Sequence, residues 1–141
     1  MAGLYDTTTI SKERSSRTYK DLNLSFISNP ATKDIVKLKD VEAVKRSVRN
    51  LVELNHFEKP FHPEIGSKLK SMLFENFGPQ TELSLRQEIL NVINNYEPRV
   101  RVVSIIVESK PDMNTYGVTI TYYIANNATP QSTELLLERL R

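Results

Sequence analysis

Cysteine is absent from this 141-residue chain, glycine is limited to Gly3, Gly66, Gly78 and Gly117, and the only histidines are His56 and His62. Without cysteine there is no disulfide framework and no thiolate chemistry, and a reducing compartment is comfortable. Glycines this few and scattered exclude a glycine-rich phosphate loop, a nucleophile elbow and a dinucleotide fingerprint. No apolar run approaches the ~20 residues that span a bilayer. Met1 to Ser16 also lacks the apolar segment of a signal peptide. The expectation is a protein made and used in a cytoplasm, or in something assembled there, with no membrane partner.

The hydrophobic and charged fractions, 39% and 26%, are ordinary for a globular protein, and the length suits one domain with a real core. The net charge of +2 implies no polyanion by itself, but its distribution is uneven. Ile10 to Asn50 carries ten bases against five acids, or +5, which leaves −3 for the remainder. Such asymmetry suits head-to-tail orientation of like subunits or weak nucleic-acid binding. Aromatics do not interleave with the bases and no reading-helix motif is present, so a solvated or protein-facing surface is favoured over nucleic acid.

Along the chain, residues 1–19 are polar and read as a flexible arm, because they cannot bury enough apolar surface to order alone. Leu22, Leu24 and Phe26 alternate with polar neighbours, as in a short strand. Asp40 is placed to cap a helix whose stripe is Val41, Val44, Val48, Leu51 and Val52. His56 to Ser67 reads as a proline-containing loop. A second helix is expected over Lys68 to Asn76, stopped by Gly78-Pro79, and a third from Thr81 to Asn95. Val100 to Val107 is apolar on both faces, which fits a central strand or one covered by a partner. Tyr116 to Ile124 alternates cleanly and completes an antiparallel hairpin. Thr129-Pro130 resembles a helix start, and Leu135, Leu136, Leu137 and Leu140 cluster in a helix too short to stand alone in water. The predicted fold is α+β: helices on one face of a small, mainly antiparallel sheet. Its parts are an arm over 1–19, a domain over 20–127 and a docking helix over 128–141.

The chain turns on Tyr96-Glu97-Pro98-Arg99-Val100. Pro98 lacks an N–H and disfavours helical backbone at Glu97, so helix gives way to strand. Glu97 and Arg99, two apart on extended backbone, are expected to project to one side and pair. Glu97 with Glu88 or Glu64 also has the form of a glycosidase carboxylate pair. An acid beside an arginine has its pKa lowered, however, which suits an ion pair better than a general acid. His56 and His62 with Glu58 or Glu64 match no zinc spacing. No metal, cofactor or small-molecule ligand is expected.

Three blocks together resemble a known family: Val41 to Leu54; Lys59-Pro60-Phe61-His62-Pro63-Glu64-Ile65-Gly66-Ser67 followed by Leu73-Phe74-Glu75; and Tyr96 to Val100. They resemble the small baseplate wedge proteins, or sheath initiators, of contractile-tailed bacteriophages. This gene-25-type family includes a type VI secretion baseplate component and, more distantly, a bacterial anti-adaptor. The resemblance covers roughly Leu22 to Ala125. It implies a non-enzymatic structural subunit in a virion tail baseplate, present in six copies around the tube. Its partners would be other wedge proteins, the first ring of sheath subunits and the tail tube. Pro60, Phe61, Pro63, Gly66, Glu97, Pro98, Arg99, Leu136 and Leu140 are the candidate structural and docking residues. Some members are described as tail lysozymes, so a peptidoglycan hydrolase with Glu97 as acid is the alternative.

Overall fold

The computed structural model describes residues 19–125 and 127–139. The expected arm therefore lies outside the described residues except for Tyr19. In order, the elements are β1 (Lys20–Leu22), β2 (Lys37–Lys39), α1 (Asp40–Glu53), α2 (Leu69–Met72), α3 (Pro79–Tyr96), β3 (Val100–Lys110), β4 (Thr115–Ile124) and β5 (Asn127–Glu138). The fold is α+β. β1 and β2 form a small antiparallel pair, while β3, β4 and β5 form an antiparallel meander with β4 at its centre.

The helical stripe of α1 packs as its spacing predicts. Val44, Val48, Leu51 and Val52 are buried, joined by Ala43, and Val41 packs at the margin. α3 contributes Leu85, Ile89, Val92 and Ile93. Both helices lie on one face of the meander, where alternate β4 residues Tyr116, Val118, Ile120, Tyr122 and Ile124 complete the core. The Tyr122 hydroxyl shares a hydrogen bond with Thr133 Oγ1 at 2.9 Å, so the ring is buried without stranding its polar end.

Several expectations change. The predicted docking helix over 128–141 is instead β5, an edge strand. Thr133, Leu135 and Leu137 are buried and alternate with exposed Ser132, Glu134, Leu136 and Glu138, a period of two. Leu136, taken as part of a leucine cluster, faces outward, and Leu140 lies outside the described residues. Pro130 does not start a helix. The register jumps from Tyr122–Gln131 to Ile124–Asn127, so Ala128, Thr129 and Pro130 stand opposite Tyr123 alone, and the proline occupies a bulge on an edge.

Gly78-Pro79 is likewise a start rather than a stop. Pro79 is the first residue of α3, where a missing N–H is harmless, and the Thr81 hydroxyl inside the first turn donates to the Asn76 carbonyl at 2.8 Å. Asp40 does not cap α1. Its φ is +45°, and it pairs with Tyr19 in both directions: Tyr19 N donates to Asp40 Oδ1 at 3.0 Å and Asp40 N to the Tyr19 carbonyl at 2.8 Å. The strand expected from Leu22 to Ile27 does not form: only Leu22 lies in a strand, as the last residue of β1, and Leu22, Leu24 and Phe26 are exposed. β3 is an edge strand rather than a central one. Its second apolar face survives as exposed Val103 and Ile106, with Val103 the extra residue of a bulge.

The strand assignment of the C-terminal segment sets an alternating mutational pattern. Leu135→Ala and Leu137→Ala are each expected to destabilise by about 2–4 kcal/mol, as for large-to-small changes in a core. Leu136→Ala should stay within about 0.5 kcal/mol, as at a surface position. Chemical denaturation of the three variants reads this directly, and equal losses at 135 and 136 would restore the helix.

Candidate functional site

α3 closes with Glu97 N donating to the Ile93 carbonyl at 2.9 Å, and Glu97 then adopts φ −126°, ψ 75°, outside the helical region that a following proline disfavours. The Glu97 carbonyl accepts from Val100 N at 3.1 Å. Pro98 and Arg99 thus form the middle of a turn, with proline at its favoured second position, rather than the extended run expected from sequence. Arg99 O accepts from Ala125 N at 2.9 Å, which anchors the turn to the end of the central strand.

The expected pairing of Glu97 with Arg99 is present. The Glu97 side chain is only 3% exposed. Arg99 Nε donates to Oε1 at 2.6 Å and Arg99 Nη2 to Oε2 at 2.7 Å, a bidentate fork. Ser47 of α1 donates its hydroxyl to Oε2 at 2.5 Å. Behind the fork, Asp21 Oδ2 lies 3.8 Å from Arg99 Nη1, and the guanidinium stands 5.4 Å from the Tyr19 ring centre. One arginine therefore joins β1, the α3 terminus and the start of β3, while its carboxylate partner reaches α1. Ser47, Asp21 and Tyr19 were not identified from sequence. Ser47 left one signal, because it lies on the helical face shared by Val44, Val48 and Leu51.

Burial pushes the Glu97 carboxyl upward, but the Arg99 hydrogen bonds, the Ser47 hydroxyl and the Arg99 charge outweigh it and hold the group below its ordinary value. A general acid needs the opposite shift. The other carboxylates considered are engaged elsewhere: Glu88 Oε1 accepts from Lys68 N at 3.0 Å, and Glu64 Oε1 meets His62 Nδ1 at 3.1 Å on the surface. Among the described residues no group of three or more His, Cys, Asp or Glu side chains gathers to hold a metal.

The second candidate is the loop over residues 55–67. Asn55 and Ser67 form an isolated parallel bridge, and Ser67 Oγ donates to the Val52 carbonyl at 2.9 Å. Glu58 turns back to accept from Asn55 N at 2.9 Å, Phe57 N donates to the Pro63 carbonyl at 3.0 Å, and the Tyr96 hydroxyl donates to the Glu64 carbonyl at 2.8 Å. Gly66 is required here: at φ +151° any Cβ would stand 2.5 Å from the Asn55 carbonyl carbon. The scaffold holds Phe57 and Phe61 in water, 84% and 96% exposed, both with left-handed backbone (φ 68° and 67°). Pro60 and Pro63 are exposed as well. Between loop and hairpin lies a cleft of about 650 Å³, walled by Leu22, Leu24, Leu51, Leu54, Pro60 and Ile65. Asp21 and Ser47 also line it, so it abuts the corner. The arrangement offers an apolar recess beside a neutralised charge cluster and two projecting rings.

Two outcomes test these geometries. Arg99→Ala strands a buried carboxylate, and the expected loss is about 3 kcal/mol at pH 7. In the native chain Glu97 contributes stability that is full above its unfolded value of 4.5 and is lost as pH falls through its lower folded value. In Arg99→Ala only the Ser47 hydroxyl still opposes burial, so acidification relieves the strain and the deficit should narrow from pH 7 toward pH 4; thermal unfolding across that range reads it, and a constant deficit contradicts the assignment. Gly66→Ala should destabilise by more than about 2 kcal/mol, because backbone atoms rather than a flexible side chain meet the new Cβ.

The family model for baseplate wedge protein gp25 matches residues 39–129, a stretch that contains both the loop and the corner. Baseplate wedge protein gp25 of Enterobacteria phage T4 is 30% identical over 95 residues, covering 67% of this chain and 72% of that protein. Among solved structures, a chain of the anti-feeding prophage baseplate superposes with a TM-score of 0.69 at 23% identity, over 79% of this chain and 89% of its own. A chain of the post-contraction pyocin R2 baseplate gives 0.60 at 16% identity, over 75% and 98%. A proposed tail lysozyme from Geobacter sulfurreducens gives 0.66 at 16% identity, over 71% and 91%. Likenesses at these identities show a shared fold, whereas the family match and the phage relative reach further. The chain belongs to the baseplate wedge protein gp25 family.

Proposed function

We propose that this chain is a non-enzymatic structural subunit of a contractile-tail baseplate wedge, which surrounds the tube and starts sheath assembly by presenting a sheath-like β surface. The observation that carries the reading is the family match across residues 39–129, which takes in α1, the loop and the corner. A baseplate structural role follows from that membership, and the relative in phage T4 is itself named a baseplate wedge protein. The partners we assign are other wedge proteins, the first ring of sheath subunits and the tube, with assembly in the host cytoplasm and residence in the tail baseplate. Six copies would surround the tube.

Physical features support docking rather than catalysis. Glu97 is buried, ionised and held by three hydrogen bonds, so it has no proton to give a leaving group at neutral pH. The corner instead fixes the wall of the apolar cleft, and Phe61 projects beside it at a backbone angle that bulky residues rarely adopt. Strain of this kind persists where the position of a side chain matters. The three-stranded sheet ends in β3 and β5, and exposed Val103 and Ile106 on β3 offer apolar contacts for an added strand.

Phe61→Asn separates docking from folding. Asparagine tolerates positive φ, so the isolated protein should keep its stability or gain up to about 1 kcal/mol. Its incorporation into baseplates, measured by co-purification with tagged wedge components, should fall about tenfold, as for loss of an aromatic interface anchor. Normal incorporation and full-length sheaths with both Phe61→Asn and Arg99→Ala would remove the proposed role from this surface. Sustained release of sugar from peptidoglycan by the purified protein, abolished in Glu97→Gln, would replace it with catalysis.

A further inference from the structure

The fold gives part of the excess of bases between Ile10 and Asn50 a definite surface. β1 and β2 pair in the register Lys20–Lys39, Asp21–Leu38, Leu22–Lys37. Alternate residues of a strand point to opposite sides. Asp21, which reaches Arg99, and half-buried Leu38 therefore take the inner side, while Lys20, Lys37, Lys39 and Leu22 share the outer one. All four outer residues are exposed. Lys20 and Lys39 stand directly opposite each other, an arrangement of like charges that destabilises a strand pair. A two-stranded pair has little stability to spare.

No ion pair among the described residues neutralises these lysines or Lys45 of α1. Lys45 and Arg49, four residues apart on α1, line a recess of about 230 Å³ that Leu38 closes from the inner side of the pair. The nearby acids are accounted for: Asp40 is bonded to Tyr19, Asp21 faces Arg99, and Glu42 lines the recess beside Arg46.

We propose that the outer face of the β1–β2 hairpin, with Lys20, Lys37 and Lys39 around Leu22, is a docking surface for an acidic segment of a partner protein that carries an apolar residue among its carboxylates. Charge complementarity selects the occupant. The outer face carries lysines alone, point charges that suit single carboxylates, and lacks the arginine forks and aromatic platforms used for phosphate and bases. The first turn of α1, the natural phosphate seat beside it, already holds Asp40 and Glu42. The surface meets the cleft at Leu22, but Lys37 and Lys39 lie outside the cleft lining, so a test at those lysines does not depend on the docking role assigned to the Phe61 loop.

The test uses the purified chain with fluorescent poly-L-glutamate and, in parallel, a single-stranded DNA oligonucleotide, followed by anisotropy from low salt to about 0.3 M. Poly-L-glutamate should bind, weaken about tenfold across that range, and lose about tenfold in affinity in Lys37→Glu/Lys39→Glu. Lys70→Glu, on a distant helix, should leave binding unchanged. The double variant should melt no lower than the parent, because Lys39→Glu turns the repulsion with Lys20 into attraction, so lost binding cannot be ascribed to unfolding. Tighter binding of the oligonucleotide than of poly-L-glutamate overturns the assignment, as does poly-L-glutamate binding that survives the double substitution or is absent at low salt.

Discussion

A single buried carboxylate governs how this protein is put together. Removing Glu97 from water is unfavourable by several kcal/mol unless its oxygens are matched, and Arg99 and Ser47 match them with three hydrogen bonds. Each donor comes from a different place: Ser47 from α1, fifty residues upstream, and Arg99 from the turn that begins β3. The arginine then draws in Asp21 and the ring of Tyr19. Of these groups, Arg99 and Ser47 are the ones the buried carboxylate depends on. The angle between α3 and the meander, the seat of α1 and the approach of β1 are therefore set together by one charge that has to be answered.

Around that joint the molecule divides its labour. The helices and the inner face of the meander form a dense apolar core, in which Tyr122 and Thr133 pair their hydroxyls while the buried Tyr116 hydroxyl and Thr115 Oγ1 have no protein partner among the described residues. The loop over residues 55–67 does the reverse. It spends hydrogen bonds and a sterically required Gly66 on keeping Phe57 and Phe61 out of the core. Exposed aromatics on strained backbone, an apolar cleft at their side and a lysine-bearing strand pair beside it leave apolar and charged surface uncovered on one part of the molecule. A baseplate subunit needs a rigid centre because its contacts must present the same geometry in every copy.

Much of this was readable before any coordinates. The period of α1, the alternation of β4 and the proline break at Pro98 are local facts, and each produced the element expected of it. The Glu97–Arg99 pair followed because two residues of opposite charge beside a proline have few places to go. The errors were local ambiguities. Thr129-Pro130 reads as a helix start and Gly78-Pro79 as a stop, yet the roles are reversed, since proline suits both the first turn of a helix and a bulge in an edge strand. Leu135, Leu136 and Leu137 satisfy a helical cluster as readily as a strand, and only the presence of β4 beside them selects the period of two. Leu22, Leu24 and Phe26 alternate as a strand does, but Phe26 N turns back to the Asn23 carbonyl and Phe26 takes a φ of +51°, which breaks the ladder toward Val36.

The chain by itself determined which side chains seek burial, where the backbone must bend and which charges are neighbours, because these depend on spacing and on the intrinsic geometry of proline and glycine. Tertiary structure alone decided that Ser47, Asp21 and Tyr19 join the Glu97–Arg99 corner, that β4 rather than β3 is central, and that the last leucines form a strand. Those outcomes rest on contacts between residues far apart in sequence, whose energies exist only once the intervening chain has folded.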